Sequence, residues 1–468
     1  MHHAAISGNL VLLGWGSIAR GVLPLIRKHI QISPERIIVV APDYAKHDLD
    51  SSSQTGGFVR LITRDNYREY LHQIIGSGDV LLNLSVDVSS VALIEFCQDV
   101  GALYLDCCIE PWEGGYTDPS LTPSQLSNHA LREAALSLRM RYPEGPTALV
   151  AHGANPGLVS SLLKEALIRI SQDIGCATTL PHSQRDWVNL ARSLGVKAIH
   201  IAERDTQAGS YPRRLDEFVN TWSIDGFTNE ARQPAEIGWG THEKNFPSDA
   251  HRHPSGSDAG IYLLRPGGAT KVRTWTPSGG PVHAFLITHN ESIAIADYYT
   301  IKEEGQVAYR PTVSYAYRPC DDAVISLDQM AAKNWRSLAN QRLLMAEISS
   351  GFDELGVLIM GHNLGAYWFG SRLSIEEARC LAPCNNATTL QVAAGVLAGL
   401  VWILENPRAG LVEPDQVDST RILQIARPYL GELAGHYTDW SPLLDRGRLF
   451  PEDVDRYCPW QFVNFRVA

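Results

Sequence analysis

The fold is decided near the N-terminus by the stretch Leu10-Val11-Leu12-Leu13-Gly14-Trp15-Gly16-Ser17-Ile18-Ala19. Its leading apolar residues predict a buried strand, and the apolar spacing that follows predicts a helix. The pattern between them is G-x-G-x-x-A, in which the first glycine permits a tight turn and the second lets the backbone approach a pyrophosphate. The small third residue brings the helix close to the strand, so that the helix N-terminus faces the phosphates. By itself this pattern is a weak signal for a dinucleotide site.

Residues beyond the glycine turn favour NAD as the dinucleotide. A second predicted strand, residues 36–40, is followed by Asp43. A carboxylate at this place accepts hydrogen bonds from the adenosine ribose hydroxyls, which favours NAD over its phosphorylated form. The alternative is that Asp43 is an ordinary turn residue after Pro42. The predicted cofactor-binding residues are Gly14, Trp15, Gly16, Ser17, Ile18, Asp43, Ser85, Asp106 and Asn155.

Strands and helices alternate along the first third of the chain at the spacing of βαβ units. Helices are predicted between most of the strands, as at residues 67–75 and 89–100. The predicted strands are residues 10–13, 36–40, 58–63, 80–86, 103–107 and 148–151. This alternation predicts an α/β, Rossmann-type parallel sheet with helices on both faces. Ligands of such sheets bind beyond the carboxyl ends of the strands, where this chain places Ser85, Asp87, Asp106, Glu110 and Asn155.

The segment Asn155-Pro156-Gly157 precedes an apolar pattern of helical spacing. Asn is a favourable N-cap residue and Pro a favourable first helical residue, so the segment predicts a helix start. A helix that starts after a central strand begins beside the nicotinamide of a bound cofactor. Asn155 therefore has two interpretations, a helix cap or a substrate contact, and the residues alone leave both open.

The second half of the chain has a different rhythm. Short alternating segments separated by Gly and Pro turns predict an α+β domain with a mostly antiparallel sheet. Two helices are predicted within it, at residues 326–348 and 374–380, because each follows a capping-box pattern. An apolar run at residues 392–404 is shorter than a membrane span requires and predicts a buried helix.

Composition and charge narrow the class of protein. The 468-residue chain is 44% hydrophobic and 19% charged, which is typical of a globular protein, and its net charge of -11 argues against a nucleic-acid partner. We expect neither a signal peptide nor a membrane partner, since no charged n-region precedes a long apolar stretch. The eight cysteines are scattered, and Cys380 and Cys384 lack a second ligand pair, so no metal site is predicted. Reduced thiols predict a cytoplasmic enzyme.

Three features together resemble the saccharopine dehydrogenase-like family. They are the glycine turn, the Asn155-Pro156-Gly157 segment, and the late helix followed by Gly410-Leu411-Val412-Glu413-Pro414. In that family the chain leaves the Rossmann domain at the second feature, builds a substrate and dimer domain, and returns at the third. The resemblance implies an NAD-binding Rossmann domain over residues 1–156, a substrate-binding and dimerisation domain over 157–385, and a C-terminal segment over 386–468 that returns to the Rossmann domain.

Longer strings resemble the bacterial homospermidine synthases within that family, and the resemblance covers essentially the whole chain. The strings are Leu105-Asp106-Cys107-Cys108-Ile109-Glu110-Pro111-Trp112, His152-Gly153-Ala154-Asn155-Pro156-Gly157, Glu203-Arg204-Asp205-Thr206-Gln207, Asn220-Thr221-Trp222-Ser223, Asn229-Glu230 and Thr288-His289-Asn290-Glu291-Ser292. They are more specific than the glycine pattern.

The resemblance implies an aminobutyl transferase that condenses two putrescine molecules to homospermidine and releases ammonia. NAD serves there as a prosthetic group that takes a hydride from the amine-bearing carbon and returns it, so the net reaction is redox-neutral. Such a site must hold a diammonium chain with carboxylates and aromatic faces, deprotonate an ammonium, and keep water from the imine. The resemblance also implies a homodimer through the antiparallel sheet, and it leaves open whether spermidine replaces one putrescine.

The resemblance also assigns roles to individual residues. Binding and steering of the amino groups fall to Glu203, Glu230 and Asp87, while Glu110 and Asn155 line the inner pocket. Trp222 shelters the cationic intermediate, and His289 and Glu291 serve as proton relay or anchor. The catalytic candidates are thus Asn155, Glu203, Trp222, Glu230, His289 and Glu291, and the substrate-binding candidates are Asp87, Glu110, Glu203 and Glu230.

Residue type alone gives plainer interpretations of the same side chains. Glu203 lies in a charge cluster that would by default face solvent, and Trp222 is one of eleven tryptophans, most of which are expected in cores. His289 follows a strand, where a hydrogen-bonded structural histidine is as plausible as a catalytic one. The resemblance, and not the pattern, decides for the catalytic interpretation.

Two other functions fit parts of the sequence. A saccharopine- or carboxynorspermidine-type dehydrogenase would keep the fold and form a secondary amine by net reduction with NAD(P). Its substrate carries a carboxylate and calls for an arginine clamp, for which the sequence offers Arg204, Arg213, Arg214 and Arg232 without singling one out. A non-catalytic NAD sensor is the second alternative, and it would not need Glu, His and Trp residues at predicted strand ends.

Overall fold

The computed structural model describes residues 2–42, 56–176 and 180–467, and these form two compact units. The first unit comprises Met1–Ser120, Ala130–Leu158 and Glu376–Leu430. The second comprises Leu121–His129, Val159–Ile375 and Gly431–Ala468. Each unit is built around a large sheet of its own.

A seven-stranded sheet forms the centre of the first unit, and all its neighbouring strands are parallel. In spatial order the strands are Leu411–Val412, Ala148–Leu149, Leu103–Asp106, Val80–Asn83, Leu10–Leu13, Ile37–Ala41 and Gly56–Val59. The central strands are buried apolar runs because helices cover both faces of such a sheet. Chain order reverses between Leu10–Leu13 and Val80–Asn83, which creates the topological switch point where ligands bind. The predicted Rossmann-type sheet is confirmed.

Helices of the first unit follow its strands in the predicted alternation. They are Ser17–His29, Tyr67–Leu71, Ser90–Val100, Asn128–Arg141, Ile375–Leu381, Ala387–Glu405 and Ser419–Ala426, with short 3₁₀ turns at Pro34–Arg36, Pro414–Gln416 and Arg427–Tyr429. A small parallel pair joins Ala4–Ala5 to Ile30–Gln31. In the described part of the chain, Ala387–Glu405 alone is long and apolar enough to span a membrane, but 89% of its most apolar window is buried inside the protein. That is the property of a core helix, as the apolar run predicted.

The second unit holds a ten-stranded sheet that is mostly antiparallel, as predicted. Its main path runs Ala250–Arg252, Gly260–Pro266, Pro234–Gly238, Thr312–Arg318, Ala198–Asp205, Phe352–Met360, Ala366–Ser374 and Glu432–Thr438, and the hairpin Lys271–Thr276 with Gly280–Leu286 joins at Thr312–Arg318. The one parallel pair on the main path is Thr312–Arg318 with Ala198–Asp205. This pair places the ends of two central strands side by side.

Helices and short strands surround this mixed sheet. The helices are Leu158–Asp173, Gln184–Ser193, Ile224–Arg232, Asn290–Tyr298, Asp321–Ala332 and Phe462–Phe465, with a 3₁₀ turn at Gly267–Ala269. Three two-stranded pairs complete the unit: Ala208–Gly209 with Ile348–Ser350, Glu217–Asn220 with Asn340–Leu343, and Ile301–Glu303 with Gln306–Tyr309. Ser223 starts the Ile224–Arg232 helix by accepting a hydrogen bond from Gly226 N–H.

The structure differs from the sequence expectations in three places. The segment Gly431–Ala468 lies in the second unit, and not with the Rossmann unit, because Glu432–Thr438 pairs with Ala366–Ser374. The helix predicted over residues 326–348 is instead Asp321–Ala332, and the backbone turns left-handed at Asn334, with a φ of 55°. The helix expected to start at Asn155 and Pro156 begins at Leu158, so Asn155 is not its N-cap residue.

Candidate active site

The glycine turn of the first unit is built from backbone conformation. Gly14 has a φ of 96°, and a Cβ there would lie 2.6 Å from the carbonyl oxygen of Leu84, so only glycine fits. Gly16 is extended and precedes the Ser17–His29 helix, and a Cβ on it would meet no atom of the described chain within 4 Å. The space beside Gly16 is therefore open to a ligand that approaches the backbone closely.

The start of the Ser17–His29 helix fits an anionic ligand. Arg20 N–H makes the first helical bond, to Gly16 C=O, so the N–H groups before it point out of the helix end. The first turn carries no acidic residue and Gly16 offers no side-chain cap. Partial positive charge at such a helix end favours a phosphate. Gly14, Trp15, Gly16, Ser17 and Ile18 thus form a cradle that suits a dinucleotide pyrophosphate; Asp43 lies outside the described residues.

A chain of hydrogen bonds joins the ends of neighbouring strands in this sheet. The hydroxyl and backbone N–H of Ser85 both donate to Asn83 Oδ1, at 2.6 and 3.2 Å. Tyr104 OH donates to Asp106 Oδ2 at 2.7 Å, and Ala151 N–H donates to Asp106 Oδ1 at 2.6 Å. Burial raises the pKa of Asp106 to about 6. Both carboxylate oxygens of Asp106 are thus engaged within the protein, which gives this residue a structural task; its predicted cofactor contact stays a prediction.

Asp87 and Glu110 meet beyond the ends of two adjacent strands of the same sheet. Asp87 adopts a left-handed conformation, with a φ of 62°, and its N–H donates to Glu110 Oε2 at 3.3 Å. Glu110 is 5% exposed, and its own N–H donates to the Ser90 hydroxyl. Asn155 is half-buried in the turn closed by a 2.8 Å bond from Gly153 N–H to Pro156 C=O. All three polar side chains lie at the carboxyl edge of the sheet.

Glu203 occupies the end of a central strand in the second unit. Its strand runs parallel to Thr312–Arg318, with Glu203 opposite Tyr317 and Ile201 opposite Tyr315. Residues two apart on a strand share a face, so both tyrosines lie on the face of Glu203. Tyr315 OH donates to Glu203 Oε2 at 2.6 Å, and Glu203 is only 3% exposed. The charge cluster that could have been a solvated face is therefore buried at this position.

His289 lies between two buried carboxylates. Its Nε2 is 2.9 Å from Glu230 Oε2, and its Nδ1 is 3.1 Å from Glu291 Oε1. Burial alone would lower the pKa of His289, but the charges of Glu230 and Glu291 outweigh it and raise the pKa well above its ordinary value. Burial also raises the pKa of Glu230, against the opposing effect of His289. The two carboxylates therefore favour the protonated form of His289, in which Nε2–H donates to Glu230 and Nδ1–H donates to Glu291.

Aromatic rings connect this trio to Glu203 and Trp222. The His289 ring stacks on Tyr315 with centroids 4.3 Å apart, and Tyr315 stacks on Tyr317 at 5.4 Å. Trp222, half-buried, donates its indole N–H to Tyr317 OH at 3.1 Å. Burial and the neighbouring Glu203 raise the pKa of both tyrosines well above the ordinary value, so both keep their hydroxyl protons. Glu203, Trp222, Glu230, His289 and Glu291 therefore form one contiguous buried cluster with the two tyrosines.

Electrostatics of this cluster suit a cationic ligand. One imidazolium is shared between Glu230 and Glu291, so the trio keeps a net negative charge. Asp205 and Asp353 are paired across neighbouring strands next to Glu203, and both are buried. A buried excess of carboxylates is costly unless cations compensate it. An ammonium group bound here would provide that compensation.

Models of two protein families match almost the whole chain. The Saccharopine dehydrogenase NADP binding domain matches residues 10–149, and the Saccharopine dehydrogenase C-terminal domain matches residues 153–439. A homospermidine synthase from Blastochloris viridis is 50% identical over 466 residues, which cover 99% of this chain and 98% of the relative. The chain belongs to the homospermidine synthase family.

Two further homospermidine synthases are similar over nearly the full length. The protein from Mesorhizobium japonicum is 45% identical over 472 residues, covering 99% of this chain and 97% of the relative. The crystal structure of the Legionella pneumophila homospermidine synthase, in complex with NAD, matches with a TM-score of 0.92 and 44% identity, covering 99% of this chain and 98% of that one. The fold of this homospermidine synthase family member is therefore the fold of a solved relative.

Sequence reasoning missed two residues of the cluster, Tyr315 and Tyr317. They alternate on a predicted strand, which marks a shared face, but tyrosines on strands usually serve packing. Nothing local predicts that the strand lies parallel to the one that carries Glu203. Sequence reasoning also missed Glu236, which lies outside this cluster. It is a fully buried carboxylate one residue after Ala235 in an apolar strand.

Proposed function

We propose that this enzyme of the homospermidine synthase family condenses two putrescine molecules to homospermidine and releases ammonia. The observation that carries the proposal is the buried cluster around His289, which combines excess carboxylate charge with aromatic rings. A diammonium chain is the ligand that such a cluster suits. Family membership supports the same reaction.

NAD is the proposed cofactor, and the glycine turn fits it. Gly14, Trp15, Gly16, Ser17 and Ile18 would hold the pyrophosphate, since the open space beside Gly16 and the helix end favour a phosphate. The Legionella pneumophila relative was crystallised in complex with NAD, which supports NAD over the NADP named in the family description. When bound, NAD supplies a hydride acceptor for the amine-bearing carbon and then the donor that reduces the final imine. We propose that Ser85, Asp106 and Asn155 support its nicotinamide end, and Asp43 its ribose.

The carboxylates and Trp222 are proposed to bind the diamine. Glu203 is buried near the end of its strand and accepts a bond from Tyr315 OH, and we propose that its carboxyl group binds an ammonium group of the substrate. Glu230 binds the other amino group, and the face of Trp222 stabilises a cation by about 0.5–2 kcal/mol. In the first unit, Asp87 and Glu110 have the same acidic character and are proposed to bind amino groups, with Asn155 at the same carboxyl edge of the sheet.

Proton movement is proposed to pass through Glu230 and His289. An ammonium must lose a proton before a hydride leaves its carbon, because the nitrogen lone pair drives that step. Glu230 suits this role, since burial raises its pKa towards that of a useful base. The ammonium gives its proton to the Glu230 carboxylate, while His289 Nε2–H stays a donor to Glu230 Oε2 at 2.9 Å; the imidazolium then passes its Nδ1 proton to Glu291 Oε1 over 3.1 Å, which leaves a neutral imidazole between two protonated carboxyls. Bound substrate cations favour this release because they add positive charge beside a charged imidazole.

The decisive experiment is a product balance. Purified protein is incubated with putrescine and NAD, and homospermidine, ammonia and NADH absorbance are measured together. We expect homospermidine and ammonia in equal amounts without stoichiometric NADH. Accumulation of NADH with consumed substrate, or reaction only after an amino acid and an aldehyde are supplied, would instead indicate a dehydrogenase and overturn the proposal.

Assembly, location and substrate range are also proposals. Large apolar side chains are exposed between Leu444 and Tyr457 in the second unit, which supports a homodimer formed by that unit. All eight cysteines are free thiols, which supports a cytoplasmic location. We propose that spermidine replaces one putrescine, since Asp205 lies two residues beyond Glu203 on the same strand and is also buried. Light scattering of the protein as it elutes from a size-exclusion column tests the homodimer. Product analysis after incubation with spermidine tests the substrate range.

A further inference from the structure

Glu236 makes contacts that its burial alone does not explain. It lies on the strand Pro234–Gly238, fully buried, among several hydrogen-bond donors and with His253 Nε2 3.7 Å from its Oε1. Oε2 accepts from Asn128 N–H and from Thr288 Oγ1, both at 2.7 Å, and Oε1 accepts from His129 N–H at 3.1 Å. A carboxylate with three donors is an anchor, because each bond fixes one group relative to the sheet.

One of these bonds leads directly to the cluster around His289. Thr288 is fully buried and immediately precedes His289, which is the N-cap residue of the helix Asn290–Tyr298. No side-chain hydrogen bond caps that helix at His289, since its ring nitrogens face Glu230 and Glu291 instead. The orientation of the His289 backbone therefore depends on the hydrogen bond that fixes Thr288 to Glu236.

We propose that Glu236 is a positioning residue, which fixes His289 and Glu291 against Glu230 through the hydroxyl of Thr288. Within the part of the chain that the structure describes, Glu236 makes no hydrogen bond to His289 or Glu230, so it acts through the backbone that joins Thr288 to His289. The inference rests on the proposed function for its kinetic readout. Glu236 also accepts hydrogen bonds from the backbone N–H groups of Asn128 and His129, at the start of a helix. It therefore links the segment Thr288–His289 to that helix start as well as to its own sheet.

Two substitutions at Thr288 separate positioning from packing. Thr288→Val has nearly the same shape but lacks the donor to Glu236, whereas Thr288→Ser keeps the donor and loses a methyl group. A small displacement of a catalytic group costs up to about 10²-fold, so we expect Thr288→Val to lower kcat by about tenfold. We expect the KM for putrescine to change by less than about twofold, since binding by Glu203 is intact. Thr288→Ser should restore most of the turnover.

Hydrogen exchange provides a readout that does not need activity. We expect the peptide over residues 284–298 to exchange faster in Thr288→Val than in the wild type, and Thr288→Ser to match the wild type. A loss in Thr288→Ser as large as that in Thr288→Val would show that the hydroxyl donor alone does not maintain turnover and would overturn the proposal, as would wild-type turnover and exchange in Thr288→Val. If the wild-type protein made no homospermidine, the proposed function would be wrong. The hydrogen-exchange rates of the two Thr288 variants and the wild type would still test the positioning role of Glu236.

Discussion

The two units build their sites from different material. In the first unit the site is backbone: Gly14 and Gly16 lie two residues apart and shape one turn before one helix. In the second unit the site is side chains from distant parts of the chain, as Tyr315 and Glu203 show, hydrogen-bonded across 112 residues of sequence. A backbone site needs residues that permit a conformation, whereas a side-chain site needs residues that the topology brings together.

The two sites also differ in how strongly they depend on pH and on neighbouring charges. A glycine turn presents N–H groups whose partial charges do not depend on pH or on neighbouring side chains. The cluster around His289 depends on buried ionised groups, each of which changes the pKa of the others. Substitutions in the glycine turn should therefore act on cofactor affinity or on folding, and substitutions in the cluster around His289 should act on turnover.

The largest effect should follow from Glu203→Gln. The amide can still accept a hydrogen bond from Tyr315 OH, so the fold is kept, but the negative charge that binds an ammonium is lost. We expect turnover to fall by about 100-fold, equivalent to about 3 kcal/mol of lost charge pairing, with NAD affinity unchanged. Homospermidine formation at saturating NAD and NAD titration by fluorescence measure the two quantities.

A matched control exists on the neighbouring strand. Glu354 is also fully buried but lies on the opposite face, where it pairs in register with Arg204 and accepts bonds from Ser278. Glu354→Gln should keep turnover within about twofold of the wild type, because it touches none of the cluster. If both variants lost turnover equally, the effect would belong to buried charge in general and the contrast between the faces would fail.

How far the sequence predicts each site follows from this contrast. The glycine turn, the parallel sheet and the buried helix Ala387–Glu405 were all predicted, because periodicity and turn chemistry are local. For the second unit, the pattern predicted a mostly antiparallel sheet but not one parallel pair within it, and this pair brings Tyr315 and Tyr317 beside Glu203. Roles for Glu203, Glu230 and His289 came only from the resemblance.

The wrong helix over residues 326–348 has a local cause as well. Asp321 and Asp322 provide an acidic first turn, so the helix starts earlier than the capping-box pattern at Ser326 indicated. Ser326 is buried in the middle of the helix, where its hydroxyl donates back to Asp322 C=O and accepts from Val219 N–H. Left-handed conformations at Asn334 and Trp335 then end it; asparagine is common in this conformation, whereas tryptophan is not. Capping patterns thus mislead where tertiary contacts occupy the same side chain.

Two glycine substitutions test the backbone site. Gly16→Ala places a methyl group in open space and in a permitted conformation, so we expect unchanged stability and NAD affinity lower by about tenfold. Gly14→Ala forces a left-handed conformation and a contact with Leu84 C=O, so we expect the fold to lose about 1–3 kcal/mol. Chemical denaturation and NAD titration distinguish them. Equal losses of stability would show that Gly16 also serves the fold.

Trp222 tests whether the side-chain site uses an aromatic face or a hydrogen bond. Trp222→Phe keeps a ring but loses the donor to Tyr317 OH, and Trp222→Ala loses both. We expect turnover to fall about threefold in the first and about tenfold in the second, within the range of a cation–π contact. Trp239→Phe, in the core of the mixed sheet, is the control and should leave turnover unchanged. Equal losses in both Trp222 variants would assign the role to the indole N–H.

The smallest effect concerns pH, and it compares a buried carboxyl with a raised pKa from each unit, Asp106 from the first and Glu236 from the second. Burial raises the pKa of Asp106 from 3.8 to about 6 and that of Glu236 from 4.5 to about 7. A group whose pKa is higher in the folded state binds more protons there, so its contribution to stability falls as pH rises through that window. Between pH 6 and 7 the Asp106 contribution is nearly gone, whereas that of Glu236 is still falling.

We therefore expect Glu236→Gln to flatten the pH dependence of unfolding free energy in this upper window by about 1 kcal/mol, and Asp106→Asn to flatten it only at lower pH. Urea denaturation from about pH 4 to about pH 8 measures both slopes against the wild type. If Asp106→Asn changed the upper window as much as Glu236→Gln, charge in the two units would be equally sensitive to pH. The two sites would then differ in how they bind their ligands, but the two units would not differ in how their unfolding free energy depends on pH.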